Sequence, residues 1–338
     1  MRAVQISWVG KETWFLVALT GLLVHYVASD GPEEAPPAAG DILRGHANLV
    51  EEVLFSPDGS RLMSSGWDRT VKIWAIQGSG PGWGRELGRI PHAHHVCSIA
   101  MSNDGELLAT GGVGGVFVWS WREGVWELVE KSDGANPRCV AFSPDGGTLA
   151  FSADDGSIRF WDLRQRRQTR VFSGFGDELR RIAFSPDGRW ICGLTYSGSF
   201  SVREVATAEA FAAGRFNSGV VQAFAFAPGG DALAIAERNG SSRSLCLWDL
   251  PSLKPRFRVD IGGNDVTVLG FCPAGQTLAL ADSAPSIRLW ETASGSLRHC
   301  LREDVGWVKT LAFDPAGGRI AFGGSDGKVR FRNLPPTI

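Results

Sequence analysis

The chain lacks most of the marks by which an enzyme or a metalloprotein is recognised. None of its six cysteines (Cys97, Cys139, Cys192, Cys246, Cys272 and Cys300) stands in a CxxC pair. The spacing therefore announces no disulfide framework, although pairing between neighbouring strands stays open. Each lies in an apolar run, as in WICGL and LCLWD, where a free thiol behaves as a small buried hydrophobe. No loop carries the D-x-D-x-D-G spacing of a calcium site, despite many Asp-Gly pairs. After residue 40 no stretch sustains a helical period, which excludes α/β enzyme folds. A net charge of −2 offers no strongly basic face, so nucleic acid is not an expected partner. Tyrosine is scarce as well, 2 against 13 Trp, whereas 43 Gly imply many turns. With 43% hydrophobic and 21% charged residues the bulk is that of a soluble globular protein. Its 338 residues suffice for two average domains or one large all-β domain.

The first forty residues are different material. TWFLVALTGLLVHYVA (13–28) has no formal charge and leads into SDGPEEAPPAAG (29–40), an acidic linker rich in Pro and Ala. Arg2 and Lys11 precede the apolar run, and Asp30, Glu33 and Glu34 follow it. That asymmetry favours a cytoplasmic N-terminus with the remainder crossing the membrane. The run is short for a spanning helix, which needs about 17–25 residues, and long for a secretory core of about 7–15. A cut after Ser29 would place Val27 and Ser29 at the small-residue positions. The expectation is a signal-anchor or signal peptide over 1–28 and a linker over 29–40. The domain at 41–338 would then be membrane-anchored facing outside the cytoplasm, or secreted or periplasmic after cleavage. Membrane contact is expected through residues 13–28 only. A wrongly chosen start or an unimportant tail is the plain alternative.

What is present after residue 40 is repetition. A turn reads FSPDG at 55–59, MSNDG at 101–105, FSPDG at 142–146 and again at 184–188. It continues as FAPGG at 226–230, FCPAG at 271–275 and FDPAG at 313–317. The closing glycines are separated by 46, 41, 42, 42, 45 and 42 residues. Pro fixes φ at the first turn position, Asp braces the backbone, and Gly takes the left-handed conformation. Each turn joins two β-rich runs such as EEVLF and RLMSSG; a third (TVKIWAI) and a fourth (GRELGRI) follow. Four short strands every ~40–45 residues describe a blade of a β-propeller.

The unit resembles the WD-repeat family, from about residue 41 to 338. Its signature is fullest in the first copy: GH at 45–46, Asp68 in the second hairpin and Trp74 closing the third strand. Trp161-Asp162 and Trp248-Asp249 keep the WD pair itself, and Trp74-Ala75, Trp119-Ser120 and Trp290-Glu291 are variants. Copies four and seven depart, with Arg203 and Arg332 where the Trp would stand. DILRG (41–45) occupies a fourth-strand position, and the chain stops after a third strand, KVRFRNL. The resemblance implies a seven-bladed, all-β propeller whose ring is closed by the N-terminal strand, leaving no open edge.

Aligned on the turns, His46, Ser64, Asp68 and Trp74 invite a hydrolase reading. The resemblance implies instead a structural network that satisfies buried polar groups within one blade. Its loss elsewhere is piecemeal. Copy three has Phe151 for Ser and Asp133 for His, and copy two keeps His92, Thr110 and Trp119 but not the Asp. Bracing tolerates such loss better than catalysis does, so no catalytic residue is expected. GGSDG (323–327) fits G-x-S-x-G, but it lies in a strand-to-strand hairpin, where a nucleophile elbow needs strand, turn and helix. HAHHVC (92–97) is the one metal-like cluster; alternating strand directions set His94, His95 and Cys97 against a single tetrahedral site, so neither metal nor cofactor is expected. Asn239-Gly240-Ser241 is a glycosylation sequon, meaningful only in a eukaryotic secretory setting. Arg159, Arg164, Arg166, Arg167 and Arg170 form a basic ridge, either a solvated edge or a site for an anionic partner.

The resemblance implies protein or peptide binding on the narrow face of a monomeric propeller, where the fourth-to-first and second-to-third loops emerge. By the repeat register Trp67 and Arg69 lie in the second hairpin of blade one, and Trp307 lies just ahead of the first strand of blade seven. His94 and His95 lead into blade two on the same face. Large aromatics with Arg on an exposed loop surface are the composition of interface anchors. The expected function is thus a non-catalytic scaffold. The alternatives are an enzyme or small-ligand binder using the central channel, and a structural ring of a larger envelope assembly.

Overall fold

The computed structural model describes residues 42–78, 82–122, 125–132, 136–210, 219–250, 252, 254–303 and 306–334. The apolar run 13–28 and the linker 29–40 lie outside the described residues. The described residues form twenty-seven strands in seven separate antiparallel sheets. Six sheets have four strands, and that of blade four has three, with an isolated bridge from Arg203 to Ala210. Residues 211–218, where a fourth strand was expected for that blade, lie outside the described residues.

Blades one to six occupy 50–91, 96–132, 140–172, 179–204, 220–260 and 266–302. Blade seven takes three strands from 308–333 and its fourth from the other end of the domain. The strand Ile42–Arg44 pairs antiparallel with Lys328–Arg330 in register, Leu43 opposite Val329. This is the ring closure read from the complementary ends of the repeat.

The turn chemistry explains the hairpins. The seven closing glycines, from Gly59 to Gly317, have φ between 68° and 75°, and in each the Gly N–H donates back to the residue three before it. The turns also touch one another around the ring. A side chain at Gly59 would meet Pro315, one at Gly105 would meet Pro57, and one at Gly188 would meet Pro144.

Apolar side chains meet between blades rather than within them. Met63, Ile73 and Ile90 of blade one pack with Val96, Ile99 and Leu108 of blade two. Leu43, Val50 and Trp74 pack with Ala321, Val329 and Phe331 across the closure. Each fully buried aliphatic side chain stabilises by roughly 1.5–3 kcal/mol, so a blade contributes to the fold only with both neighbours present. The six cysteines are free; four are buried, while Cys97 and Cys300 are partly accessible.

Because the strands alternate in direction, the second-to-third and fourth-to-first loops leave at one end of every blade, here called the upper face. The Pro-Asp-Gly turns leave at the other end. In six blades the first two strands slip register near the start of the first strand, between Val50 and Glu52 in blade one and Val308 and Thr310 in blade seven. A bulged residue is released from the ladder and its side chain is re-aimed. The skipped residues are Glu51, Cys97, Arg180, Gln222, Thr267 and Lys309.

Candidate functional site

Those bulges build the upper face. Lys309 Nζ lies 3.0 Å from Glu51 Oε1, tying blade seven to blade one. The other carboxylate oxygen of Glu51 accepts the Trp67 indole N–H at 2.9 Å. Trp67 stacks on His95 with centroids 5.5 Å apart and planes 24° apart, which reaches blade two. Lys309 also stands over the Trp307 ring at 5.9 Å. Three of the expected partner residues, Trp307, Trp67 and His95, are thus joined in one run, His95–Trp67–Glu51–Lys309–Trp307. Glu51 and Lys309 were not read from the sequence, although both fall at the same repeat position. Arg69 and His94 are exposed, Arg69 in the hairpin of Trp67 and His94 next in the chain to His95.

Trp67 is 51% exposed although held by two contacts. Among the described residues the exposed large hydrophobics divide between two places. Trp67, Val113, Tyr196 and Val220 stand on the upper face, and Leu87, Leu128, Val171 and Leu297 on outer strands. None stands on the lower face. Tyr196 occupies the same hairpin of blade four as Trp67 does in blade one, beside Arg138, whose Nε donates to Glu178 at 2.7 Å.

Beneath Trp67, the four residues of the expected network are bonded together. His46 Nδ1 lies 3.0 Å from both Asp68 oxygens, and its Nε2 lies 2.7 Å from Ser64 Oγ. Trp74 Nε1 donates to the same Ser64 oxygen at 2.8 Å. Burial pushes the His46 pKa down against the pull of Asp68, which keeps the ring neutral. With Nδ1–H donated to Asp68, Nε2 accepts the Ser64 hydroxyl. Burial pushes the Asp68 carboxyl up, but bonds from Thr70, His46 and the Ala47 N–H outweigh it and hold it below the usual range.

Those distances match a Ser-His-Asp triad, and the surroundings disarm it. Ser64 has 0% of its surface exposed, and the oxygen that would attack accepts the Trp74 N–H. No substrate carbonyl can approach, so the arrangement braces the hairpin 66–70 that carries Trp67 and Arg69.

Other blades show what each loss does. In blade two Trp119 donates to Thr110 at 3.2 Å, but His92 packs edge-on against Phe117 and Trp119 and its Nε2 has no hydrogen-bond partner. Burial lowers its pKa to about 4. In blade three Phe151 replaces the acceptor and Trp161 Nε1 is left without one; Asp133 lies outside the described residues. The two arginine departures find other companions. Arg332 makes a two-point pair with Glu303, Nε to Oε1 at 2.6 Å and a second nitrogen to Oε2 at 3.3 Å. Arg203 lies 4.1 Å over the Phe175 ring.

The channel wall is occupied by links between blades. Ile99 N–H donates to Glu52 at 2.6 Å, Thr267 donates to the Val308 carbonyl at 2.7 Å, and Val266 N–H donates to Gln222 at 3.2 Å. Among the described residues no three His, Cys, Asp or Glu side chains are grouped to hold a metal ion. A groove of about 740 Å³ on the lower face lies between blades three and four. Its carboxylates are engaged locally, Asp145 by Ser143 and Asp187 by Ser185. The basic ridge is partly tied down as well: Arg159 pairs with Asp155 at 3.2 Å, Arg166 with Glu130 at 3.6 Å, and Arg170 donates to the Val205 carbonyl at 2.5 Å.

Comparison with known proteins agrees with this architecture. Residues 40–75, 85–120, 127–162 and 295–333 match the family described as WD domain, G-beta repeat. The chain is 34% identical over 120 residues to a poly(A)+ RNA export protein of Schizosaccharomyces pombe, covering 34% of this chain and 33% of that one. It is 32% identical over 126 residues to small ribosomal subunit protein RACK1y of Oryza sativa subsp. japonica, covering 36% and 35%. A longer match, 24% identical over 303 residues, is to pre-mRNA-processing factor 19 homolog 2 of Arabidopsis thaliana, covering 87% and 48%. The matches span less than half the length of each of these relatives. The matched repeats fall in blades one, two, three and seven, and the described residues are a seven-bladed β-propeller that carries WD40 repeats.

Proposed function

We propose that this propeller is a non-catalytic scaffold that binds a protein or peptide partner on its upper face, over blades seven, one and two. The observation that carries the reading is the run Trp307, Lys309, Glu51, Trp67 and His95, which presents large aromatics across two blade junctions. Rigid, half-exposed aromatic side chains are the composition of binding hot spots. The names of the relatives, an RNA export protein and a ribosomal subunit protein among them, support an interaction role of this kind. Against a channel enzyme stand first-strand polar groups already engaged with neighbouring blades.

A pull-down from the native source with quantified stoichiometry tests the scaffold. Trp67→Ala and Trp307→Ala should each weaken the captured partner by about 2 kcal/mol, roughly thirtyfold, with folding unchanged. Binding that survives the double substitution removes this site. Turnover of a small molecule without any partner would restore the enzyme reading.

The charge pattern around 13–28 supports a second element of the proposal, presentation of the propeller beyond the cytoplasmic membrane. Among the described residues no helix is long and apolar enough to cross a membrane, so the role rests on that segment alone. A reporter fused after Ile338 should be recovered outside the cytoplasm; full-length soluble protein inside it would refute the export.

A further inference from the structure

Arg69 sits where the fold asks for glycine. It closes the second-to-third hairpin of blade one, its N–H donating to the Gly66 carbonyl at 3.3 Å, with φ of 66°. The same bond in blades three, four and seven is made by Gly156, Gly198 and Gly327, with φ of 73°, 85° and 72°. A left-handed conformation is costly for a residue with a Cβ, and non-glycine residues kept there gather at functional sites. In the other blades space also forbids a side chain: a Cβ would fall 2.7 Å from the Asp177 carbonyl at Gly156 and 2.8 Å from the His46 carbonyl at Gly327. Blade one alone of these four opens the corner and fills it with a cation.

That cation is free while the acids around it are not. Arg69 is exposed, and among the described residues its guanidinium has no ion pair or hydrogen bond. Asp68 accepts from His46, Ala47 and Thr70. Glu51 is held by Trp67 and Lys309. His94, also exposed, lies two residues past His92, whose N–H donates to the Arg69 carbonyl at 2.9 Å. An unpaired guanidinium therefore stands in the hairpin that carries Trp67, where the carboxylates of Asp68 and Glu51 are already engaged.

We infer that the partner is an acidic peptide segment, one of whose carboxylates pairs with Arg69 while an adjacent apolar side chain covers Trp67. A guanidinium takes a carboxylate in a two-point contact that Lys or Gly cannot reproduce. This inference rests on the scaffold reading and adds the chemical class of the partner.

The test uses the full chain and three sets of fluorescein-labelled twelve-residue peptides with the same Leu and Phe positions. Their remaining positions are Asp and Glu, Ser and Gln, or Lys. Fluorescence anisotropy should show the acidic set binding about tenfold tighter than the neutral set, with affinity falling as salt is raised. Arg69→Gly should lose about fivefold for the acidic set alone and flatten the salt dependence. Its melting temperature should equal or exceed that of the wild type, because glycine relieves the corner; a purely structural Arg69 would not separate these readouts. Equal binding of the acidic and Lys sets, or an Arg69→Gly variant that binds acidic peptides as before, overturns the inference. Neutral or Lys peptides that bind as tightly as the acidic set and are lost in Trp67→Ala also overturn it, while leaving the upper face as the binding surface. Binding by none of the sets overturns it too, and the pull-down then decides the scaffold reading separately.

Discussion

Replacing Ser64 by Ala removes one oxygen and strands two buried groups. Ser64 Oγ donates to His46 Nε2 at 2.7 Å and accepts the Trp74 indole N–H at 2.8 Å. The change is nearly isosteric, so the loss is one of polar pairing rather than of packing. A buried group left without its partner costs about 1–3 kcal/mol, and the two here are coupled through one atom. The expected destabilisation is about 2–4 kcal/mol. Thr110→Ala in blade two supplies the internal comparison. Thr110 accepts only from Trp119, at 3.2 Å, because His92 stays on the aromatic side. That substitution should cost about 1 kcal/mol, plus a smaller amount for the methyl group it also removes. Urea unfolding followed by tryptophan fluorescence, with circular dichroism in parallel, measures both. Equal costs for the two substitutions, or a Ser64→Ala cost below about 0.5 kcal/mol, would refute the account of His46, Ser64, Asp68 and Trp74 as a brace.

Two further outcomes follow from the closure and from the buried histidines. Removing residues 1–40 should leave a folded propeller, whereas removing 1–46 takes away the strand Ile42–Arg44 and His46, exposes the third strand of blade seven and lowers the melting temperature; truncations that melt alike would refute closure by this strand. His92 is held at about 4, below its ordinary 6.5, by burial alone. Between those values the unfolded chain binds a proton that the folded one refuses, so stability falls as pH is lowered from 6.5 towards 4, by on the order of 2–3 kcal/mol. His46 acts in the same direction. Urea midpoints at pH 7 and 4.5 should therefore differ less in His92→Phe than in the wild type, and an identical pH dependence would remove His92 as the source.

The sequence by itself determined the repeat, the turn, the blade count and the ring closure. These are local or periodic properties: a Pro-Asp-Gly turn dictates its own backbone, and a strand that lacks a partner at one end is matched by a gap at the other. The four residues His46, Ser64, Asp68 and Trp74, which the structure joins by hydrogen bonds, could be grouped from the sequence for the same reason, since they keep fixed offsets from the turn. Only the tertiary structure decided how the upper face is assembled. The bulges early in the first strands of blades one and seven turn Glu51 and Lys309 sideways, and their meeting depends on the angle between blades, which no offset along the chain encodes. The same holds for Arg332, whose partner Glu303 lies twenty-nine residues earlier in the chain. It holds for His92 too, which keeps its repeat position yet turns to the rings of Phe117 and Trp119 instead of the hydroxyl. Packing between neighbouring sheets, rather than the pattern within one, chose those contacts.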